Sequence, residues 1–261
     1  MLYCFPHAGA SSSVYRPWQE LGAPLVTVQG VDSPGRGMRA REPRAAGFQA
    51  LVDAMTDYVV DDLRRARQSD PDARYLMFGH SFGTLVSLSV AAAVTLATGQ
   101  APVRAVLSAG LPPRLHTPVN EAASLRDDEL ISNIAAGGGT PAQLLSGGPL
   151  TRHIVRLFRE DYAVRSQFCL QAGLRVDFPV TLIAARDDPF VRPEQMWAWS
   201  EHSTVPARQE VIPGGHFAAF QEPEQVLQII CDDLHSATGC EHGAGELIAG
   251  SAGGDRELAR L

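Results

Sequence analysis

Six short apolar runs, each bracketed by turn-forming residues, constrain this chain more than any other feature. They fall at Leu2–Phe5, Pro24–Val28, Arg74–Phe78, Arg104–Ser108, Pro179–Ala185 and Gln209–Ile212. Their near-continuous apolar character is that of strands buried on both faces. Helical patterns lie between or after them at Phe48–Gln68, Leu85–Ala97, Pro193–Glu201 and Pro223–Leu234, the last two opening on a proline suited to a helix start. Such alternation predicts an α/β fold, a doubly wound, mostly parallel sheet covered by helices on both faces. Right-handed crossovers then put the ligand site at the carboxyl ends of the strands. At 261 residues the chain has the length of one large α/β domain, read here as residues 1–235.

One interval breaks the alternation. From about 111 to 173, two helical stretches flank the loop Gly137-Gly138-Gly139-Thr140-Pro141. Leu125, Leu130 and Ile134 in the first and Ile154, Leu157, Phe158 and Tyr162 in the second recur at helical spacing. An insertion of this size beside a ligand edge is expected to act as a lid over the site. After Leu234 the sequence turns to Ser, Gly, Ala and Glu without periodicity, so 236–261 reads as a mobile tail.

Composition excludes several chemistries. The formal net charge is -7, which argues against nucleic acid as a partner, because phosphate neutralisation needs a basic face. All 22 basic residues are arginine. Without lysine there is no P-loop and no Schiff-base catalysis. Cys4, Cys169, Cys231 and Cys240 form no C-x-x-C pair, and neither Cys4 with His7 nor Cys240 with His242 has the further ligands of a zinc site, so no metal is expected. The thiols read as idle in a reducing compartment. No signal peptide precedes Pro6 and no stretch approaches the ~20 apolar residues of a membrane helix, so a cytoplasmic monomer without membrane contact is expected.

The third run continues as Arg74-Tyr75-Leu76-Met77-Phe78-Gly79-His80-Ser81-Phe82-Gly83. A strand entering G-x-S-x-G and leaving into a helix at Leu85 is the nucleophile elbow of the α/β-hydrolase fold, where small residues let the backbone turn sharply enough to present the serine. The flanking strand and helix give the short pattern its weight. Serine needs a base, and a neutral imidazole, with an ordinary pKa of about 6.5, is matched to that work. His216 follows a strand in Ile212-Pro213-Gly214-Gly215-His216-Phe217, in the Ser, acid, His order of this fold. His7 and His80 precede the serine, the latter packing or hydrogen-bonding locally. His116, His153, His202, His235 and His242 are expected to be solvated. The acid comes from Ala185-Arg186-Asp187-Asp188-Pro189-Phe190, with Asp188 preferred because the Asp-Pro turn aims its carboxylate, and Asp187 as the rival. Backbone N–H groups of Phe82 and of Ala8, in the small-residue loop after the first strand, are the expected oxyanion donors.

Taken together, several segments resemble the type II thioesterases that accompany nonribosomal peptide and polyketide synthetases, relatives of the gramicidin and surfactin cluster thioesterases. The matching pieces are Cys4-Phe5-Pro6-His7-Ala8-Gly9 with Tyr15-Arg16-Pro17-Trp18, Pro34-Gly35-Arg36-Gly37, and Gly79 to Gly83. In the insertion they are Leu125 to Leu130, Gly138-Gly139-Thr140-Pro141 and Arg159-Glu160-Asp161-Tyr162, followed by Asp188-Pro189 and Gly214 to Phe217. The resemblance spans about residues 2–234 and implies removal of stalled acyl groups from the phosphopantetheine arm of acyl or peptidyl carrier proteins, with Ser81, Asp188 and His216 as the triad and no cofactor of the chain's own. Two departures stand out. Met38 occupies a position that is often acidic in the family. The sequence also opens directly on its first strand, where members usually carry a dozen or so residues, so either an upstream start or a frayed first strand is expected.

The active-site motifs alone do not choose a leaving group, which keeps a small-molecule carboxylesterase as the alternative. A noncatalytic carrier-binding protein on the same fold is the remote one. Arg36, Arg39, Arg41 and Arg44 form a local basic stretch that would suit an acidic carrier, against the alternative of a solvated loop.

Overall fold

Successive side chains of a strand point to opposite faces of the sheet. In β1 (Leu2–Phe5) this sends Leu2 and Cys4 into one apolar layer and Tyr3 and Phe5 into the other. In this computed structural model, which describes residues 1–23 and 25–238, the same division repeats along β3 (Leu76–His80), β4 (Ala105–Ser108) and β5 (Val180–Ala185), while the edge strands β2 (Val28–Gly30) and β6 (Arg208–Ile212) add only Val28 and Ile212 to the first layer. The order is β2-β1-β3-β4-β5-β6, and every neighbouring pair is parallel. The doubly wound α/β-hydrolase sheet expected from the sequence is the one found.

The helices are α1 (Arg16–Gly22), α2 (Phe48–Ser69), α3 (Phe82–Thr98), α4 (Glu121–Ser124), α5 (Asp127–Gly137), α6 (Gly148–Arg165), α7 (Pro193–Trp197), α8 (Ala218–Gln221) and α9 (Pro223–Thr238). Helix α2 buries Phe48, Leu51, Val52, Met55, Val59 and Leu63, one stripe at helical spacing. That stripe covers α3, which is apolar around most of its girth because it lies between α2 and the sheet. Full burial of a side chain such as Leu85 or Leu88 contributes about 1.5–3 kcal/mol. On the other face Tyr15, Trp18 and α9 residues Val226 and Ile230 close the second layer.

Three expectations need correction. The second strand runs Val28–Gly30, later than Pro24–Val28, because the N–H groups of Leu25 and Val26 turn back to the Gly22 carbonyl and end α1. The first strand is not frayed: β1 lies between β2 and β3, is paired on both sides, and is buried throughout. Helix α9 continues to Thr238, past the expected boundary at 235, and residues 239–261 of the expected tail lie outside the described residues. Among the described residues, no helix is long and apolar enough to cross a membrane, and Cys4, Cys169 and Cys231 are free thiols.

Strand order reverses between β1 and β3. The chain leaves β1 toward β2 on one side and β3 toward β4 on the other, which opens a crevice at the carboxyl ends of these two strands. Helices α4 to α6 have a small core of their own, Ala122, Leu130, Ile134 and Val155. Arg159 of α6 binds the carbonyls of Ala122 and Leu125 and the carboxylate of Asp127, tying α4 and α5 to α6. Phe158 and Tyr162 pack against both this core and the main one, so the insertion lies over the crevice.

Candidate active site

At the end of β3 the chain takes φ 55°, ψ −114° at Ser81, a strained conformation for a residue with a side chain. The strain persists because the turn is held from outside: Ser81 N–H donates to the Ser108 carbonyl at 2.8 Å, and the Thr84 hydroxyl donates to the same carbonyl at 3.0 Å. The glycines on either side are required by space. A Cβ on Gly79 would overlap the Gly83 carbonyl and the Ser87 hydroxyl, and one on Gly83 would overlap the Phe5 carbonyl. Helix α3 starts at Phe82 and not at Leu85, so the N–H groups of its first turn, which have no acceptor within the helix, lie directly behind the serine.

His216 Nε2 lies 3.0 Å from Ser81 Oγ, and its Nδ1 lies 2.8 Å from Asp188 Oδ2. The Asp188 carboxylate is buried, and its Oδ1 accepts the N–H groups of Phe190 and Val191 at 2.8 and 3.1 Å, which fixes its plane. With Nδ1 donating to the carboxylate, Nε2 is the acceptor facing the serine. Asp187 is exposed, and its N–H donates to the Gly214 carbonyl, bracing the acid loop against the histidine loop. Its carboxylate plays no part in the alignment. Of the two aspartates weighed in the sequence, Asp188 is the one placed against His216.

Two further imidazoles surround His216. His80 is wholly buried, with Nδ1 3.2 Å from the Ser108 hydroxyl and its ring centroid 5.3 Å from that of His216. His7 packs edge-on against Phe217 and Phe220. Burial, followed by the charges of His216 and Arg36, pushes the His7 pKa down to about 3, and burial likewise depresses that of His80. Both neighbours stay neutral, so neither opposes a positive charge on His216. Met38, in the position often acidic in the resembling family, is exposed and contributes only its N–H, to Asp32 at 2.8 Å.

Ser81 forms part of the wall of a cavity of about 350 Å³ together with Ala8 and Phe82, the two residues expected to donate to an oxyanion. Leu125, Leu130, Ile134, Phe158 and Tyr162 of the insertion supply much of its apolar lining, and Phe190 and Phe217 line it from the main domain. The insertion also meets the loop that carries His216 and the loop after β1. Gly139 lies so close to the Phe217 ring that a Cβ there would overlap it, and Gly9 stands likewise to Phe158.

Several sequence expectations change here. His116 is not solvated: it lines the cavity, stacks edge-on against Phe168 and has its pKa lowered to about 4 by burial and then by Arg165. His202 is also buried, with Nδ1 2.7 Å from the Leu174 carbonyl. His242 lies outside the described residues. Arg36 does not belong to a docking patch. It is buried and grips both carboxylate oxygens of Asp161 at 2.6 Å. Arg39 pairs with Glu42, and Arg44 with Glu160, which leaves little of the expected basic stretch uncommitted. Sequence reasoning missed Asp161 and Asp32. Asp161 sits inside a segment singled out by resemblance, but nothing local marks its carboxylate as buried. Asp32 accepts from Ser12 N–H and hydroxyl and from Met38 N–H, joining the loops after β1 and β2.

With this geometry in view, comparison with known proteins gives a consistent result. Over 90% of its length the chain is 29% identical to a protein of Streptomyces griseus named as a probable cadicidin biosynthesis thioesterase, and it spans 62% of that relative's length. Among solved structures, the RedJ thioesterase from the prodiginine biosynthetic pathway of Streptomyces coelicolor superimposes with a TM-score of 0.74 at 28% identity, covering 89% of each chain. The type II thioesterase BorB from the borrelidin biosynthetic cluster superimposes with a TM-score of 0.74 at 27% identity, over 89% of this chain and 91% of that one. The thioesterase domain family model matches residues 1–234. An elbow serine, a histidine and a buried aspartate aligned under a helical insertion, together with that match, mean that the chain belongs to the thioesterase domain family.

Proposed function

We propose that this protein is a type II, editing thioesterase that hydrolyses acyl thioesters from the phosphopantetheine arms of carrier proteins in nonribosomal peptide or polyketide assembly. The observation that carries the reading is the unbroken Ser81–His216–Asp188 alignment on the wall of an apolar cavity covered by the insertion. His216 Nε2 takes the Ser81 proton as Oγ attacks the thioester carbon, and the C=O pair of electrons moves onto oxygen. Phe82 N–H and Ala8 N–H donate to that oxyanion, and the N-terminus of α3 adds its partial positive charge. Asp188 holds the imidazole in the required tautomer and stabilises the cation without taking the proton.

Collapse of the tetrahedral adduct breaks the C–S bond. His216 passes the proton it holds to the departing sulfur and becomes neutral again; a thiol has a pKa near 8.5, so it needs less acid assistance than an amine would. Water then attacks the acyl ester, again losing its proton to His216; the acid departs and Ser81 regains its proton. The insertion acts as a lid that shields the acyl-enzyme and supplies the apolar wall for the acyl chain.

Incubation with an acyl-loaded carrier domain tests the reading. Free carrier and free acid should appear, and Ser81→Ala should abolish both. Equal release by the two proteins overturns the catalytic assignment, and faster turnover of matched soluble esters than of acyl-carrier thioesters makes the protein a carboxylesterase instead.

A further inference from the structure

The buried pair between Arg36, in the loop after β2, and Asp161, on α6, has a third member that lies next to the catalytic machinery. Asp161 Oδ2 accepts the N–H of Gly9 at 2.6 Å, while Arg36 grips both carboxylate oxygens and also donates to the Leu157 carbonyl at 3.1 Å and the Ala10 carbonyl at 3.4 Å. One carboxylate of the insertion thus joins two loops of the main domain. Gly9 directly follows Ala8. The peptide before Ala8 is held by Ala10 N–H donating to the His7 carbonyl at 3.2 Å, and in a planar trans peptide the Ala8 N–H points away from that carbonyl. The peptide after Ala8 is held by Asp161. Both dihedrals of Ala8 are therefore fixed from outside, and only one of the two constraints belongs to the main domain. The glycine is needed at this point, since Gly9 has φ 79° and the Phe158 ring occupies the space of a Cβ.

Resting on the thioesterase reading above, we propose that Asp161 is a positioning residue for the oxyanion loop: with Arg36 holding its carboxylate, it aims the Ala8 peptide only while α6 is docked. Docking of the lid and assembly of the oxyanion site are then one event. A lid lifted off the main domain would leave Ser81, His216 and Asp188 aligned but one oxyanion donor unset, so acyl transfer would wait for closure.

The consequence separates from simple loss of structure. Asp161→Leu, which keeps the bulk but removes the acceptor, should lower kcat by about 10²-fold, the scale of losing one oxyanion donor. KM for a soluble acyl thioester should move less than about threefold, because the acyl cavity is otherwise retained. Affinity for a trifluoromethyl ketone isostere of the thioester, which forms an oxyanion on Ser81, should fall in step with kcat/KM. Asp161→Asn, which retains an oxygen for Gly9 N–H but loses the charge, should show the same proportionality with a smaller loss. Melting and circular dichroism establish that each variant is folded. In the wild-type protein, hydrogen exchange at the Gly9 amide should be slow.

A folded Asp161→Leu with unchanged kcat and ketone affinity, a loss confined to KM, or rapid exchange at wild-type Gly9 overturns the proposal. The last test requires no variant. If wild-type protein fails to hydrolyse acyl thioesters in a Ser81-dependent manner, the thioesterase reading falls and this one with it. Normal wild-type activity beside an unaffected Asp161→Leu removes this one alone.

Discussion

Asp188→Asn changes one atom type and leaves size and shape alone, so its effect follows from hydrogen-bond bookkeeping. Oδ1 of Asp188 accepts two backbone N–H groups, from Phe190 at 2.8 Å and Val191 at 3.1 Å. An asparagine amide oxygen can replace it there, which forces the amide NH₂ into the place of Oδ2, 2.8 Å from His216 Nδ1. The opposite rotamer would set NH₂ against two N–H donors and strand them, at about 1–3 kcal/mol each. An NH₂ group only donates, so Nδ1 must accept and the imidazole proton must move to Nε2. Nε2 then points a proton at Ser81 Oγ from 3.0 Å and cannot remove one. A triad with this tautomer error loses on the order of 10³–10⁴ in kcat, about 4–5.5 kcal/mol of transition-state stabilisation. Acid release from an acyl-carrier thioester at pH 7, followed by mass spectrometry, measures it. The melting temperature should stay within a few degrees, because the loop hydrogen bonds survive. Asp187→Asn is the companion variant and should retain full activity, since that side chain is exposed. A loss under tenfold for a folded Asp188→Asn, or a larger loss at Asp187, would refute the assignment of the acid.

Three other outcomes are expected. Stability should fall on acidification: His7 and His116 titrate near 3 and 4 in the folded protein, so below the ordinary histidine pKa of about 6.5 the unfolded chain takes up protons that the folded one refuses. Their contribution is complete above that value and is lost as pH drops. At about 1.4 kcal/mol per unit, lowering the pH to 5 costs roughly 2 kcal/mol for each, and urea midpoints at pH 7 and 5 should differ accordingly, by less in His116→Gln. Gly83→Ala places a methyl group on the Phe5 and Pro6 carbonyls just ahead of the oxyanion loop; kcat should drop by at least ~10²-fold and stability by about 1–3 kcal/mol, read by steady-state kinetics and melting. Asp233→Ala removes the buried acceptor of Thr181 at 2.8 Å and Arg208 at 3.0 Å, between α9 and strands β5 and β6, and should cost about 1.5–3 kcal/mol in denaturant while leaving kcat unchanged.

The sequence by itself determined the parts of this protein whose constraints are local. A strand, a sharp turn that tolerates only small residues beside Ser81, and a helix must follow one another within about ten positions, so the elbow could be read directly. The alternation of apolar runs with helical stripes specified the parallel sheet, because parallel pairing needs covered crossovers, and the chain order of the fold then pointed to Asp188 and His216. Only the tertiary structure decided what depends on how distant segments meet. Arg36 and Asp161 are 125 residues apart, and until the insertion docks, an arginine in a loop of arginines reads as solvated or as a docking charge. The partial burial of His116, the burial of His202 and the limits of the second strand were hidden for the same reason. Each is a competition between water and a partner supplied by another part of the chain, and residue type alone cannot report which one wins.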